Sequence, residues 1–219
     1  MILLESRRIK LLKYYNIDLI FDIGANQGQY ARAILEARDT HKIVSFEPLT
    51  SAYRIIESES KKYKNWTVAP RCAIGSKKEE IEINISANSV SSTFLNMLDS
   101  HLEGAPESKI IGKEKVQVFP LDEIGANYIG GADHIFLKID VQGFEQEVLK
   151  GAQAMIDKAQ GIEMEISLIP LYENQNWLLL QVLEYMQQKR FQLMSIVPGF
   201  TDNKTGEVLQ CDGIFLRKE

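Results

Sequence analysis

The alternation of short apolar runs with amphipathic stretches near the start of the chain is the feature that most constrains the fold. The segments IDLIFDI (17–23) and KIVSFE (42–47) are apolar runs of strand length, and stretches with helical periodicity follow them at 29–38 and 50–63. Apolar runs of this kind are typical of strands that are buried on both faces. The β-α-β-α order therefore predicts a parallel sheet flanked by helices.

The rest of the chain continues this order. Strands are predicted at 66–74, at 79–86, in KVQVFPL, at 134–141 and at 161–169, and helices at 143–156 and 176–190. FQLMSIV and CDGIFLRK are predicted to form a terminal antiparallel pair. The Ser-, Asn- and Gly-rich segment 87–114 has no strong period, and we expect a loop with a short helix there. A connection of this length is usually functional or mobile.

Composition and charge narrow the class of protein. The chain has 219 residues with 45% hydrophobic residues, and its 25 Lys and Arg against 30 Asp and Glu give a net charge of −5. A protein that wraps nucleic acid normally has the opposite bias, so no nucleic-acid partner is expected. Two cysteines far apart in sequence favour isolated buried thiols in a reducing compartment over a disulfide framework or a zinc cluster.

The apolar runs also bear on localisation. They are far shorter than the roughly 20 residues needed to cross a bilayer. Glu5, Arg7 and Arg8 interrupt the apolar N-terminal residues before a secretory segment can form. The sequence therefore predicts a cytoplasmic protein that does not enter a membrane.

A turn rich in glycine follows the first strand, in LIFDIGANQGQY (19–30). A dinucleotide-binding fingerprint that began at Gly24 would need glycines at positions 26 and 29. The chain has Asn26 and Gln29 there instead. The turn has the position of a nucleotide-binding loop without the glycine spacing that a pyrophosphate requires.

Carboxylates accompany this turn. Gly24 and Gly28 allow the backbone to come close to a ligand, and Asp22 lies where the turn begins. Glu47 ends the second predicted strand, 25 residues beyond Asp22. In nucleotide-binding α/β folds an acidic residue at about this separation hydrogen-bonds the ribose hydroxyls. An ordinary strand-to-helix turn without a ligand is the alternative.

Four segments in this order, FDIGANQGQY, SFEP, LKIDVQGFEQEVLKGA and IEMEIS, resemble the S-adenosylmethionine-dependent methyltransferases of the FkbM type. The likeness runs from about residue 17 to the C-terminus. These enzymes also have asparagine at the middle glycine of the acidic-x-Gly-x-Gly-x-Gly motif. The resemblance implies a class I methyltransferase fold, which is a Rossmann-like, mostly parallel sheet flanked by helices with a C-terminal antiparallel strand pair. We expect an N-terminal helix at 1–16 and a single methyltransferase domain at 17–219.

The resemblance also implies a set of cofactor contacts. The amino-acid moiety of S-adenosylmethionine is expected at the turn, its ribose at Glu47, and its adenine beside residues 72–74. For Cys72, simple core packing is an equally good interpretation. The predicted cofactor-binding residues are Asp22, Gly24, Asn26, Gly28, Glu47, Pro48, Cys72, Ala73 and Asp140.

The candidate catalytic residues follow the strands at 134–141 and 161–169. Methyl transfer to a hydroxyl needs the acceptor oxygen in line with the methyl group, and usually a group that takes the proton. Asp140 is the best candidate to hold the acceptor or act as the base, with Glu165 as its partner and Lys138 near enough to keep a carboxylate ionised. Lys138 and Asp140 could instead merely pair with each other. A divalent metal held by the two carboxylates is a less favoured alternative, and no metal ligands are predicted.

The sequence thus favours O-methylation of a small molecule or a sugar, with the acceptor and the oligomeric state left open. A nucleic-acid amino-methyltransferase would show Asn/Asp-Pro-Pro-aromatic where this chain has DVQGF. An NAD-dependent oxidoreductase and a cofactor-binding protein without transfer activity remain alternatives. His101 and SVSSTF (89–94) could approach the acceptor, although a solvated loop is the commoner fate of such residues.

Overall fold

The computed structural model describes residues 2–37 and 41–217. Within these residues the strands are β1 (Leu19–Ile23), β2 (Lys42–Phe46), β3 (Trp66–Val68), β4 (Ala73–Ile74), β5 (Glu79–Ser86), β6 (Ile110–Phe119), β7 (Ile135–Ile139), β8 (Ala159–Ser167), β9 (Phe191–Pro198) and β10 (Gln210–Arg217). The helices are α1 (Ile2–Tyr14), α2 (Gln29–Ala37), α3 (Thr50–Ser60), α4 (Asp99–Gly104), α5 (Leu121–Ile124), α6 (Ala126–Ile129), α7 (Glu145–Lys150), α8 (Gln153–Lys158) and α9 (Leu179–Gln188), with a 3₁₀ turn at Pro106–Ser108.

Seven strands form the central sheet in the order β3-β2-β1-β7-β8-β10-β9. The pairs from β3 to β8 are parallel, and β10 runs antiparallel to both β8 and β9. The fold class predicted from the sequence, a mostly parallel sheet with a C-terminal antiparallel pair, is confirmed. The carboxyl ends of β1, β2, β7 and β8 meet at one edge of this sheet, where ligands of open α/β proteins bind.

Apolar residues fill both faces of this sheet. All five residues of β1 are buried, and Phe21 and Phe136 are completely inaccessible. In α2, Ala31, Ile34 and Leu35 are buried, which is the spacing of one helix face turned toward the sheet. The sheet therefore provides a rigid base for the side chains at its edge.

A second sheet of three strands, in the order β4-β6-β5, was not predicted. The predicted strand at 66–74 is in fact β3 in the central sheet and β4 in the second sheet, so the prediction of one strand was wrong. Pro70 lies between them and has no N–H for a ladder hydrogen bond, which explains the break. The prediction of a half-exposed strand at 79–86 is confirmed by β5.

Two further boundaries differ from the predictions. The segment 87–114 contains the short helix α4, as expected, but β6 already begins at Ile110. The predicted helix at 143–156 is divided into α7 and α8. At Gly151 a Cβ atom would lie 1.9 Å from the Gly75 carbonyl oxygen, so the chain changes direction where two backbones touch. Asp122 then accepts hydrogen bonds from the amides of Ala154 and Met155, which caps the start of α8.

Helix α1 agrees with the helix predicted at 1–16, whereas the division into that helix and one domain at 17–219 stays a prediction. Within the part of the chain that the structure describes, no helix is long and apolar enough to span a bilayer.

Candidate active site

A cavity of about 400 Å³ opens at the carboxyl ends of β1, β2, β7 and β8, and its volume is typical of small-molecule sites. Both apolar and charged side chains line it. The apolar residues include Phe46, Pro48, Leu49, Ala73, Ile74 and Ile83, and the charged residues are Arg8, Glu47, Lys138, Asp140, Glu163, Glu165 and Asp212.

The glycine turn shapes this cavity in a different way from the one predicted. Gly24 lines the cavity and has φ +79°, but a Cβ atom there would lie 1.9 Å from the carbonyl oxygen of Asp140. Gly28 has φ +80°, and its Cβ would lie 2.4 Å from the Trp66 ring. Both glycines are therefore required by contacts within the protein. Gly28 is not part of the cavity wall. Gly24 makes a backbone contact between the ends of β1 and β7 and also lines the cavity, so its contact with a cofactor stays a prediction.

Glu47 stabilises the turn from the end of β2. Its Oε2 accepts a hydrogen bond of 2.8 Å from the Asn26 amide, and its Oε1 accepts one of 2.8 Å from the Leu49 amide. Asn26 has the left-handed φ of +46°, and its side-chain Oδ1 accepts from the Gln27 amide. Burial raises the pKa of Glu47 to about 7. Asn26, Glu47 and Pro48 all line the cavity, and their contact with a cofactor stays a prediction.

Lys138 lies between two carboxylates. Its Nζ is 3.4 Å from Asp22 Oδ1 and 3.4 Å from Asp140 Oδ2. The register of the sheet explains this, because Asp22 on β1 pairs with Lys138 on β7 and with Ser45 on β2, whose hydroxyl donates to Asp22 Oδ2. Burial raises the pKa of Asp22, and the charge of Lys138 opposes that shift.

Asp22 itself is completely buried and does not line the cavity, whereas Lys138 and Asp140 do. Asp22 therefore supports the site through Lys138, which differs from the direct ligand contact that the sequence suggested. The sequence left open that Lys138 and Asp140 pair with each other, and this ion pair is present at the cavity wall.

Gln142 connects the two candidate catalytic carboxylates. Its side-chain nitrogen donates to Asp140 Oδ1 and to Glu165 Oε2, both at 2.9 Å. Its backbone has φ +54°, and its carbonyl accepts a hydrogen bond of 2.6 Å from the Thr93 hydroxyl. Burial and then the charge of Asp140 raise the pKa of Glu165 well above its ordinary value. Asp140 and Glu165 are thus neighbours, as predicted, and Gln142 is a site residue that sequence reasoning missed.

Helix α1 also contributes to the cavity. The Arg8 guanidinium pairs with Glu163, with Nε at 2.9 and 2.8 Å from the two carboxylate oxygens, and the Tyr30 hydroxyl donates to the same carboxylate at 3.2 Å. Both Glu163 and Glu165 line the cavity. The sequence contained no signal for Arg8, since 155 residues separate it from its partner.

The residues expected near the adenine divide between the cavity and the core. Ala73 and Ile74 line the cavity. Cys72 is buried in the main hydrophobic core and does not line the cavity, and burial raises the pKa of its thiol to about 12. Core packing, which the sequence left as an equally good interpretation, is the role that the structure supports for Cys72.

A second cavity of about 390 Å³ adjoins the first. Both cavities are lined by Val90, Asp140, Gln142 and Glu165. The SVSSTF segment lies between them, with Ser89, Ser92 and Phe94 lining the first cavity and Ser91 the second. His101 lines the second cavity and is only 2% exposed, so the expectation of a solvated loop histidine was wrong. In residues 2–37 and 41–217, no group of three or more His, Cys, Asp or Glu is placed to hold a metal ion.

A family model described as the methyltransferase FkbM domain matches residues 22–193, which include the carboxyl ends of the four strands at the first cavity. The chain belongs to the FkbM methyltransferase family. The resemblance drawn from the four sequence segments is thereby confirmed, and the protein is an S-adenosylmethionine-dependent methyltransferase. S-adenosylmethionine is accordingly the cofactor that the family implies.

Solved structures support the fold. The methyltransferase domain of bacterial CtHen1-C is similar with a TM-score of 0.52 and 8% identity, over 98% of this chain and 97% of that one. TehB from Haemophilus influenzae is similar with a TM-score of 0.51 and 10% identity, over 97% of this chain and 62% of that one. At these identities the likeness concerns the fold alone. No curated protein sequence matches the chain significantly.

Proposed function

We propose that this FkbM-family enzyme is an O-methyltransferase that methylates a hydroxyl of a small molecule or a sugar. The observation that carries the proposal is the charge of the first cavity. Its wall has five carboxylates, Glu47, Asp140, Glu163, Glu165 and Asp212, against the two cations Arg8 and Lys138. Both cations are paired, Arg8 with Glu163 and Lys138 with Asp22 and Asp140, so the described residues of this wall offer no unpaired positive charge to the pyrophosphate of a dinucleotide and suit a sulfonium cofactor.

The residues of the first cavity fit S-adenosylmethionine. Ala73 and Ile74 provide an apolar wall for the adenine, and Glu47 beside Pro48 can accept hydrogen bonds from the ribose hydroxyls. Asn26 and Lys138 are proposed to bind the amino-acid moiety, and the buried Asp22 positions Lys138 through their ion pair. When bound, the cofactor supplies an electrophilic methyl group.

Asp140 is proposed as the group that receives the acceptor hydroxyl and takes its proton. It lies where the two cavities meet, and its side chain is 40% exposed, so a substrate can reach it. Lys138 forms an ion pair with one oxygen of Asp140, and the Gln142 side-chain amide donates a hydrogen bond to the other. These two contacts fix the orientation of the carboxylate. Burial raises the pKa of Glu165, which favours its protonated form, and a protonated Glu165 can donate a hydrogen bond to the acceptor.

The cofactor part of the proposal is tested by calorimetry with S-adenosylmethionine, S-adenosylhomocysteine and NAD in parallel. We expect the first two to bind and NAD not to bind. Burial raises the pKa values of Glu47 and Asp212 to about 7, so both become negative as the pH rises through that value. The affinity for the positively charged S-adenosylmethionine should therefore increase more than that for S-adenosylhomocysteine between about pH 6 and 8. Tighter binding of NAD would refute the assignment.

The acceptor class is tested by incubating hydroxylated metabolites and glycosides with labelled S-adenosylmethionine and locating the methyl group by mass spectrometry and NMR. Methyl ethers are the expected products, and transfer to amines alone would contradict O-methylation. The cytoplasmic location and the lack of a nucleic-acid partner and of a metal requirement stay predictions.

A further inference from the structure

The second cavity has the position of a substrate subsite. It shares Asp140, Gln142 and Glu165 with the first cavity, so a molecule bound in it would meet the proposed base at the junction. Its wall comes from the segment 88–107, from the ends of β7 and β8, and from the 200–210 region between β9 and β10. The lining residues within 101–107 and 200–210 belong to the second cavity alone, whereas Val90 and the ends of β7 and β8 line both cavities.

His101 is the most unusual residue of this wall. Its ring is buried between those of Tyr172 and Phe200, with both centroids 5.4 Å away. Its Nδ1 is buried and has no hydrogen-bond partner among the described residues. Buried polar atoms are nearly always paired in folded proteins, so a bound molecule is the natural partner once the ring turns Nδ1 toward the cavity. Burial also lowers the pKa of His101, which favours the neutral imidazole.

The remaining polar groups of the wall indicate what kind of molecule fits. None of the described residues that line the second cavity is Lys or Arg. Hydroxyl and amide groups come from Asn88, Ser91, Thr201, Asn203 and Gln210, and carboxylates from Glu107, Asp140 and Glu165. Such groups can exchange many hydrogen bonds with hydroxyls, whereas a phosphate or carboxylate would meet like charges without a compensating cation. Phe200 adds an aromatic ring beside these polar groups.

We propose that the second cavity is the methyl-acceptor subsite and that it takes a neutral polyhydroxylated molecule such as a sugar ring, with His101 hydrogen-bonding one of its hydroxyls. The inference rests on the proposed O-methyltransferase function and narrows its acceptor to uncharged polyols. His101 is thereby a substrate-binding residue, and Asp140 keeps the role of base.

The test uses the full chain loaded with S-adenosylhomocysteine and saturation-transfer NMR. The probes are a panel of neutral methyl hexopyranosides and the matching hexose 6-phosphates and uronates, at millimolar concentration. We expect saturation of the neutral glycosides and none of the anionic sugars. His101→Phe keeps a ring between Tyr172 and Phe200 but removes the nitrogen, and it should weaken glycoside binding by at least about tenfold. Thr201→Trp places a bulky side chain on the cavity wall and should also abolish it.

His134→Phe, at the amino end of β7, is the matched control and should bind glycosides as the wild type does. Calorimetry with S-adenosylhomocysteine is performed first on each variant. Failure of the wild type to bind it would contradict the proposed function itself. If the wild type binds S-adenosylhomocysteine normally, three results overturn the inference alone. These are equal binding of the anionic sugars, the absence of any neutral glycoside signal, and unchanged glycoside binding in both His101→Phe and Thr201→Trp. Should His101→Phe fail to fold, the half-exposed Thr201→Trp variant decides the question.

Discussion

Replacing Arg8 by methionine removes the cation from a carboxylate that is almost completely buried. The side chains of Arg8 and Glu163 are 18% and 4% exposed, and the guanidinium contacts both carboxylate oxygens. Removing one partner of a buried pair typically costs about 3–5 kcal/mol, because the remaining charge stays desolvated. Methionine preserves much of the apolar stem of arginine, so most of the expected loss of stability comes from the charge.

Urea denaturation measures the free energy of unfolding of wild type, Arg8→Met, Glu163→Gln and the double variant. The double variant should recover at least about 1 kcal/mol relative to the sum of the single effects, since a neutral amide no longer needs the cation. Lys62→Met, which removes an exposed ion pair with Glu59, is the control and should leave stability unchanged. A cost below about 1 kcal/mol for Arg8→Met would show that α1 does not dock on β8 through this pair. Because Arg8 lines the first cavity, the Arg8→Met variant should also bind S-adenosylhomocysteine more weakly than the wild type does.

Four further predictions concern the site. Asp140→Asn should keep the affinity for S-adenosylhomocysteine within a few fold and lower turnover by roughly 10²–10⁴, as for a positioned base; full turnover on a confirmed acceptor would exclude that role. Glu47→Ala should weaken S-adenosylhomocysteine binding at least about tenfold in calorimetry, because the amides of Asn26 and Leu49 lose their acceptor and the ribose its partner. Burial raises the pKa of Glu47 from 4.5 to about 7, so the folded state favours the protonated carboxyl. Its contribution to the free energy of unfolding is fully present below about pH 4.5 and is lost as the pH rises through 7. Glu47→Gln should therefore gain stability relative to wild type over that range, and a constant difference would contradict the pKa shift. Gly24→Ala should lower the thermal midpoint, since strain at φ +79° and the contact with Asp140 together cost at least about 2 kcal/mol; a stable variant that only loses cofactor affinity would restore the ligand-contact interpretation.

The turn after β1 shows how far local patterns reach. Sequence spacing identified Gly24, Gly28 and Glu47 as special positions and placed them correctly between strand and helix. It assigned the two glycines to ligand approach, because a glycine pattern cannot show which atoms lie beside it. The structure places the Asp140 carbonyl and the Trp66 ring there, and both contacts depend on segments distant in sequence.

The second sheet and the second cavity show what local sequence patterns cannot predict. A period of two residues predicted β5 correctly, yet nothing in the pattern indicated that β4, β5 and β6 would form a separate sheet. His101 lay in a segment without periodicity, and only the packing of Tyr172 and Phe200 around it made it a buried residue.

The sequence by itself determined the fold class, the family and the strand ends at which the site would form. These depend on local hydrophobic periodicity and on motif spacing, which are readable along the chain. Only the tertiary structure decided that Asp22 supports Lys138 from beneath, that Gln142 joins Asp140 to Glu165, and that Arg8 reaches Glu163. The physical reason is that burial, charge pairing and pKa depend on which distant side chains come within a few ångströms, and sheet register and helix docking set those distances.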